Sequence, residues 1–250
     1  SGISMKYLGE DLDIHCGGID NAFPHHTNEI AQSESYLGHK WCNYWFHVHH
    51  LNTNSGKMSK SKGEFLTVSL LESKGYDPLV YRFFCLQSHY RKSLVFTYEN
   101  LDNAKRAFEK LAASVAAAKK TASGEPDAAK FAELKAGFDA ALGNDLNTSL
   151  AISAVYDVLK SDADGATKIA LINDFDKVLS LDLVKKADAL IEAEKAAESD
   201  VPAEIQALVD QRREARKAKN FALADELRDK ISELGWVVEE TRQGTKIYKK

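Results

Sequence analysis

Residues 13–34 read DIHCGGIDNAFPHHTNEIAQSE, and this stretch decides the expected fold of the first part of the chain. The segment LDIHCGG, residues 12–18, predicts a short strand that ends in glycines. Pro24 suits the first turn of a helix, because the backbone N–H that proline lacks is not needed there. We expect that helix to run to about Leu37, with Gly38 as its stop signal.

The remaining sequence predicts a second strand, a helical bundle and a small C-terminal part. Residues 45–51, WFHVHHL, alternate apolar and polar side chains as a strand does. From about residue 67 to 195, apolar positions recur at helical spacing between breaks that carry Gly, Asn or Asp. We expect a linker at 193–202, AEKAAESDVP, then two helices and a β-hairpin. The second of these helices carries an apolar stripe of Ala224, Leu227, Ile231 and Leu234.

The composition is that of an ordinary soluble globular protein, since 44% of the 250 residues are hydrophobic and 28% are charged. No apolar run reaches membrane-spanning length and no signal peptide is recognised, so we expect no membrane partner. The three cysteines, Cys16, Cys42 and Cys85, lack the spacing of a disulfide framework and favour a reducing, cytoplasmic location. Because the net charge is −4, nucleic-acid binding requires a local basic patch.

Residues 56–63, GKMSKSKG, place Lys57 and Lys60 among small hydroxyl residues and between two glycines. Such a loop can close over a polyphosphate, where its positive charge would stabilise a leaving pyrophosphate. On composition alone, an exposed lysine-rich turn is the alternative. The pentapeptide KMSKS matches the signature of class I aminoacyl-tRNA synthetases letter for letter, and this favours the functional interpretation.

Several separate motifs resemble cysteinyl-tRNA synthetase. They are residues 13–34 followed by KMSKS, residues 138–159 (FDAALGNDLNTSLAISAVYDVL) and residues 207–245, from ALVDQRREARKAKNFALADELRDK to the hairpin. The resemblance implies the end of a class I Rossmann-type catalytic domain, a helical bundle and a small α+β anticodon-binding domain. We therefore expect a mostly α chain with a partial α/β N-terminal segment, divided into residues 1–70, 71–195 and 201–250.

His25 and Glu29 are candidate metal ligands, because residues at i and i+4 project from one face of a helix. The alternative for an isolated pair is a surface histidine in a helical ion pair. The resemblance implies that both bind a zinc ion together with two cysteines, and that the zinc takes the thiolate of the substrate cysteine. Such a site rejects serine better than an apolar pocket does. His26 is interpreted as a supporting residue.

The sequence departs from the family pattern in ways that bear on activity. The two cysteine ligands have no counterpart, and Cys16, which stands where the family has a glycine, is interpreted as a small tolerated residue. The nucleotide-binding first half with its His-x-Gly-His signature has no counterpart either, and the chain looks as if it begins in mid-domain. We therefore expect weak or absent zinc binding and an inactive isolated chain.

The same resemblance gives roles to residues around the glycines. His15, Gly17 and Gly18, with Lys60, would lie near the ATP-derived adenylate, and Asp20 near the amino group of cysteine. The alternative for Asp20 is a helix N-cap. In the strand that leads to KMSKS, alternation places His47 and His49 on one face, and we expect one of His47, His49 and His50 to line the adenylate pocket.

Residues 211–219, QRREARKAK, form a local basic patch, with Phe221 and Trp236 nearby as possible stacking surfaces for unpaired RNA bases. A solvated helix face is the alternative. By resemblance, the tRNA anticodon is contacted by Arg216, Phe221, Asp225 and Glu240. Phe221 stands where tryptophan is common in the family, and Glu240 where aspartate is common.

The resemblance implies that the chain is the C-terminal part of a cysteine–tRNA ligase that uses ATP with Mg²⁺ and binds tRNA-Cys and cysteine, and we expect a cytoplasmic monomer. Lys57 and Lys60 would be its catalytic residues. One alternative is a paralogous ligase that joins cysteine to an amino-sugar, which the C-terminal stretch from 201 to 250 argues against. The other is a non-catalytic tRNA-binding module.

Overall fold

The computed structural model describes residues 1–53, 56–57, 67–199, 201–241 and 244–249. The chain divides into two compact units, Ser1–Val184 and Lys185–Lys250. Helices predominate, and the strands form small sheets at the N-terminal and C-terminal parts, as the sequence predicts. Among the described residues, no helix combines the length and the apolar character that crossing a membrane requires.

The first unit opens with two parallel strands joined through a helix. Helix α1 covers Gly2–Leu8, β1 covers Leu12–Gly18, α2 covers Thr27–Leu37 and β2 covers Cys42–Val48. The strands pair in parallel, with Ile14 opposite Tyr44 and Gly17 opposite His47. The predicted strand at residues 12–18 is confirmed, and so is the helix stop at Gly38, where φ is 75°.

The start of the predicted helix at Pro24 is wrong by a few residues. A 3₁₀ turn covers Ile19–Asn21 and a π-helical turn covers Ala22–His26, so the α-helix begins only at Thr27. The backbone of Phe23, with φ −141° and ψ 135°, is extended and interrupts helical geometry just before the proline. A residue that precedes proline is biased toward this conformation by the proline ring.

The strand predicted over residues 45–51 is divided in the structure. β2 ends at Val48, and Leu51–Thr53 forms a separate strand, β3, between β4 (Gly56–Lys57) and β5 (Leu94–Phe96). At the break, the His49 N–H donates to the Tyr90 carbonyl at 2.9 Å. The prediction that His47 and His49 share a strand face is therefore wrong, because His49 leaves the ladder to pair with another segment.

Helices fill the rest of the first unit and cross into the second. They are α3 (Val68–Ser73), α4 (Pro78–Leu86), α5 (Tyr98–Lys120), α6 (Ala128–Gly143), α7 (Thr148–Lys160), α8 (Gly165–Leu179) and α9 (Leu183–Ser199). Polar caps set several starts, as at Asp127, whose carboxylate accepts from the first backbone N–H groups of α6. In the core, the buried rings of Phe138 and Phe175 stack at 4.0 Å.

Tyr90 links this helical part to β2. Its ring stacks on Phe46 with centroids 4.2 Å apart, and its hydroxyl donates to Asp145 at 2.5 Å. Asp145 lies in the loop between α6 and α7 and also accepts from Arg91 Nε at 2.5 Å. The aromatic and charged contacts together hold the end of β2 against the α6–α7 loop.

The second unit contains an antiparallel helix pair and a hairpin. α10 covers Ala203–Lys217, α11 covers Phe221–Glu233, and β6 (Trp236–Thr241) pairs with β7 (Gly244–Lys249). Of the predicted apolar stripe on α11, Ala224, Leu227 and Ile231 are buried, whereas Leu234 is 46% exposed because it lies beyond the helix end. The predicted linker is shorter than expected: α9 runs through Ser199, since Ala, Glu and Lys are strong helix formers.

Candidate metal and adenylate site

The candidate site lies where the two parallel strands and the turn after β1 come together. His15 and Gly17 come from β1, His47 comes from the end of β2, and the turn before α2 supplies His26. Glu29 lies in the first turn of α2. The site is thus near the carboxyl ends of the strands, which is the edge where open α/β sheets bind ligands.

Two short side-chain hydrogen bonds organise the site. His15 Nε2 and Glu29 Oε2 are 2.7 Å apart, and His26 Nδ1 and His47 Nε2 are 2.8 Å apart. The His15 and His26 rings also contact each other, with centroids 4.6 Å apart. Each imidazole therefore has a fixed orientation.

Two tryptophans form the wall behind the histidines. The edge of the Trp45 ring meets His15 at 4.9 Å between centroids, and the same ring lies 5.0 Å from His26. Trp41, which is 1% exposed, lies 5.7 Å from His15. These rings exclude water from one side of the site and restrict the imidazoles to their hydrogen-bonded positions.

Gly17 is required by the position of His26. A Cβ built at residue 17 would lie 2.7 Å from His26 Cε1 and 3.0 Å from Asn21 Nδ2. Gly18 is crowded in the same way, because a Cβ there would lie 2.5 Å from Asp20 Oδ1. The glycines expected to leave room for a ligand thus also leave room for the side chains of the following turn.

The electrostatics of the site favour a neutral His26 and bear on the charge of Glu29. Burial lowers the pKa of His26, and the neighbouring His15 and His47 lower it further. Burial alone would raise the pKa of Glu29, and the hydrogen bond from His15 acts against burial to lower it. A neutral imidazole and an ionised carboxylate are the forms that bind metal.

The donor set of the site fits a zinc ion. His15, His26 and Glu29 each offer a ligand atom, and these atoms all lie within 4.8 Å of one another. Imidazole nitrogen and carboxylate oxygen are ordinary zinc ligands. The sequence-predicted ligand His25 is more peripheral: its side chain is 66% exposed and its Nε2 lies 4.0 Å from Glu29 Oε1. The ligand role of His25 stays a prediction.

The sequence interpretation did not foresee how closely His15 and His26 approach Glu29. It placed His15 near the adenylate and gave His26 a supporting role. It also did not foresee the bond between His26 and His47. The position of His47 could have been anticipated from the sequence, because parallel pairing of the two predicted strands places His47 beside Gly17.

Asp20 follows the glycines of β1 and contacts another histidine, His50. Its Oδ1 is 3.4 Å from His50 Nε2, and it lies within the 3₁₀ turn. The N-cap position of α2 belongs to His26, so the alternative role expected for Asp20 is not observed at that helix. For the KMSKS segment, the backbone of Lys57 lies in β4, whereas the Lys57 side chain and all of Lys60 fall outside the described residues.

The predicted anticodon residues lie around the start of α11 and the hairpin. Phe221 begins α11 and is 61% exposed, and Asp225 one turn later pairs with Arg228 at 3.3 Å. Arg216 lies in the last turn of α10. Glu240 lies in β6 with its backbone opposite Thr245, and its side chain is outside the described part.

Two details of the basic patch differ from the sequence interpretation. Trp236, considered as a stacking surface, is buried in the core with Ile231 and Val238. Arg212 is buried as well, and Arg213 pairs with Asp210 at 2.9 Å. Because Trp236 is used for packing, the exposed aromatic side chains in the described part of this unit are Phe221 and, on β7, Tyr248.

Comparison with known proteins places both ends of the chain in one enzyme family. Residues 1–106 match the family described as tRNA synthetases class I (C) catalytic domain, and residues 198–247 match the Cysteinyl-tRNA ligase anticodon binding domain. The chain belongs to the cysteinyl-tRNA synthetase family. The recognition made from the motifs is confirmed.

Curated relatives align along nearly the whole chain. Cysteine–tRNA ligase 1 of Burkholderia lata is 39% identical over 250 residues, which are 99% of this chain and 50% of that protein. The Cysteine–tRNA ligase of Caldicellulosiruptor saccharolyticus is 38% identical over 259 residues, 98% of this chain and 54% of that protein. The Cysteine–tRNA ligase of Protochlamydia amoebophila is 36% identical over 270 residues, which are 100% of this chain and 53% of that protein. The chain thus spans about half the length of the curated relatives that it matches.

Proposed function

We propose that this chain functions in a cysteine–tRNA ligase. That enzyme joins cysteine to ATP with release of pyrophosphate and then transfers the cysteinyl group to tRNA-Cys. The hydrogen bond from His15 that orients Glu29 beside His25, near the carboxyl ends of β1 and β2, is the observation that carries the proposal. This arrangement supplies a metal-compatible site at the edge where a nucleotide-binding sheet holds its ligand.

In this proposal Glu29 and His25 hold a zinc ion. His15 and His26 lie near enough to be ligands but are bonded to Glu29 and to His47, so they orient the site instead. The two carboxylate oxygens of Glu29 have different neighbours. Oε2 bonds His15, whereas Oε1 is the oxygen nearer His25. Partners that orient a ligand carboxylate raise metal affinity. When bound, the zinc would bind the thiolate of cysteine more tightly than the hydroxyl of serine, because sulfur is the softer ligand.

The neighbouring residues position the rest of cysteine and ATP. The Asp20 carboxylate takes the amino group of cysteine, and the His50 ring at 3.4 Å limits the directions in which that carboxylate can turn. His15, Gly17 and Gly18 lie along the adenylate. Lys57 and Lys60, with Mg²⁺, stabilise charge on the departing pyrophosphate.

The C-terminal unit reads the tRNA anticodon. Phe221 offers an exposed ring for stacking, and Arg216, Asp225 and Glu240 offer charged groups that can contact base edges. We further propose that the protein is a cytoplasmic monomer. Its free cysteines, of which Cys42 is buried, agree with a reducing compartment.

Of the two alternatives, the non-catalytic tRNA-binding module has an observation in its favour. Lys185–Lys250 is a compact unit that includes the matched anticodon-binding domain, and a module that binds tRNA without catalysis would need such a unit. The same match argues against the ligase that joins cysteine to an amino-sugar. On either proposal, we expect the isolated chain to lack catalytic activity.

A chimera tests the catalytic proposal. Residues 1–250 would replace the matching half of the Burkholderia lata relative, and cysteine-dependent ATP–pyrophosphate exchange would be measured. We expect exchange in the chimera, a large loss in its Lys60→Ala variant, and none in the isolated chain. A folded chimera without exchange would contradict the catalytic role.

Binding of tRNA by the isolated chain separates the remaining possibilities. We expect tRNA-Cys to bind, and the affinity to fall when its anticodon is changed. An inactive chimera together with anticodon-dependent binding would leave the tRNA-binding module as the function. Binding that does not depend on the anticodon would contradict both the cysteine–tRNA ligase and the tRNA-binding module.

A further inference from the structure

The carboxylate of Asp145 accepts three hydrogen bonds from a distant part of the chain. Its Oδ1 accepts from the Tyr90 hydroxyl at 2.5 Å and from Arg91 Nη2 at 3.1 Å, and its Oδ2 accepts from Arg91 Nε at 2.5 Å. The donors lie 54 and 55 positions away in sequence. Hydrogen bonds to a charged group are the stronger ones, so this carboxylate fixes the segment that carries Tyr90 and Arg91.

The backbone at Asp145 is held in an uncommon conformation. Asp145 has φ 57° and Leu146 has φ 52°, so two successive residues other than glycine occupy the left-handed region. Such conformations cost free energy and persist only where the surrounding contacts impose them. Here the Leu146 N–H donates to the Leu142 carbonyl at 3.0 Å, and Thr148 Oγ1 donates to the Ser88 carbonyl at 3.5 Å. The loop between α6 and α7 therefore presents the carboxylate in a fixed direction.

Tyr90 connects Asp145 to the end of β2 through both its side chain and its backbone. Its ring stacks on Phe46, with centroids 4.2 Å apart and an interplanar angle of 27°. Its carbonyl accepts from the His49 N–H at 2.9 Å. One contact falls immediately before His47 and the other two residues after it, so Tyr90 holds the chain on both sides of that histidine.

The histidines of this segment contact the candidate site. His47 Nε2 lies 2.8 Å from His26 Nδ1, and His50 Nε2 lies 3.4 Å from Asp20 Oδ1. A small displacement of the segment would therefore turn two side chains of the site. Enzymatic reactions are sensitive to such shifts, since a misplacement of about 1 Å can lower a rate by about 100-fold.

We propose that Asp145 is a positioning residue for the part of the site that binds cysteine. It acts through Tyr90, which holds the end of β2 and thereby fixes His47 and His50. The proposal rests on the proposed function, in which Asp20 takes the amino group of cysteine. Loss of the Asp145 contacts should therefore raise KM for cysteine more than KM for ATP, because the glycines assigned to the adenylate lie on β1 whereas Tyr90 contacts β2.

A role of Asp145 in stability alone predicts a different result. In that case, any substitution in the same helices that costs comparable stability would have the same effect on activity. Phe138 in α6 supplies the comparison, because its buried ring stacks on Phe175 at 4.0 Å. Phe138→Leu weakens packing between helices and leaves the contacts of Asp145 in place.

The first measurement is cysteine-dependent ATP–pyrophosphate exchange in the chimera described above. Asp145→Gly removes the carboxylate and tolerates the left-handed backbone, and it should raise KM for cysteine by about tenfold or more. Tyr90→Phe keeps the stacked ring but loses the hydroxyl, and it should act in the same direction. Asp145→Asn keeps an oxygen that can accept from the Tyr90 hydroxyl, so it should restore part of the loss. Phe138→Leu should leave KM for cysteine unchanged.

The second measurement needs no catalysis and uses the 250-residue chain itself. NMR spectra at fixed pH would follow the imidazole resonances of His47 and His50. We expect both to shift in Asp145→Gly and in Tyr90→Phe, because the rings lose their fixed orientation. Both should stay in place in Phe138→Leu. Circular dichroism would establish that each variant folds.

Three results would overturn the positioning role: KM for cysteine that does not change in Asp145→Gly, an equal rise in Phe138→Leu, or imidazole resonances that stay in place in Asp145→Gly. An inactive wild-type chimera would contradict the proposed function alone. The NMR spectra would then still decide whether Asp145 orients the two histidines.

Discussion

His15 and Glu29 are 14 residues apart in sequence, and a 2.7 Å hydrogen bond joins His15 Nε2 to Glu29 Oε2. The bond connects β1 to α2 and fixes the orientation of the carboxylate. It leaves Oε1 as the carboxylate oxygen nearer His25. Because a carboxylate held by one oxygen presents the other in a defined direction, this pair bears directly on the proposed zinc site.

Loss of Glu29 is expected to abolish zinc binding in the chimera. Glu29→Gln removes the anionic ligand. His15→Ala leaves Glu29 in place but free to turn, and it should weaken the affinity for zinc by about 10- to 100-fold. The measurement is competition for zinc against a chromophoric chelator. Glu109→Gln, an exposed carboxylate on α5, is the control. Equal affinity in the Glu29→Gln and control proteins would remove Glu29 from the site.

Gly17→Ala is expected to destabilise the first unit by about 1–3 kcal/mol, because the added Cβ overpacks the site. The contact, 2.7 Å from His26 Cε1, can be relieved only by moving a ring that is bonded to His47. The free energy of unfolding in urea, followed by tryptophan fluorescence and circular dichroism, measures the loss.

Gly137→Ala is the matched control for that substitution. Nothing lies within 4 Å of a Cβ at residue 137, and the position is inside α6. Alanine there should stabilise by about 0.5–1 kcal/mol, since glycine is a poor helix former. Effects of the same sign at the two positions would contradict the packing described around Gly17.

Asp145 is expected to contribute stability that depends on pH. Hydrogen bonds from Arg91 and Tyr90 lower the pKa of Asp145 from 3.8 to about 2. A carboxyl whose pKa is lower in the folded state stabilises fully above the unfolded pKa, and this contribution is lost as pH falls through the folded pKa. The contribution should therefore be complete above pH 3.8 and disappear on acidification toward pH 2.

Asp145→Asn isolates this effect, because asparagine tolerates the left-handed backbone at residue 145, where φ is 57°. Urea unfolding at several pH values should give a difference between wild type and Asp145→Asn that shrinks below pH 3.8. Glu109→Gln serves again as the comparison. A difference that stays constant down to pH 2 would mean that Asp145 is not held ionised by Arg91 and Tyr90.

Phe221→Ala is expected to weaken binding of tRNA-Cys by about ten- to a hundredfold, the value of one base stacked on an aromatic ring. Because Phe221 is 61% exposed, the stability of the C-terminal unit should change little. Phe221→Trp should retain affinity, whereas Leu234→Ala, at the other end of α11, should have no effect. Unchanged tRNA affinity in Phe221→Ala would exclude Phe221 from the RNA surface.

Part of the fold follows from local sequence alone. The glycine-terminated strand β1, the end of α2 at Gly38, the long helices and the hairpin were predictable, because periodicity and stop signals act within a few residues. The family motifs likewise identified the chain before any contact was known. The short strand β5 was not predicted, since its three residues are held by parallel pairing with the distant Leu51–Thr53.

The arrangement of the site was decided by tertiary structure. The sequence supplied His15, His26, Glu29 and His47, but spacing along the chain favoured the pair His25 and Glu29. Parallel pairing of β1 with β2 and the turn at Ala22–His26 direct His26 inward, toward His47, and leave His25 largely exposed. Hydrogen bonds between side chains depend on where distant backbone segments meet, and no local pattern encodes that distance.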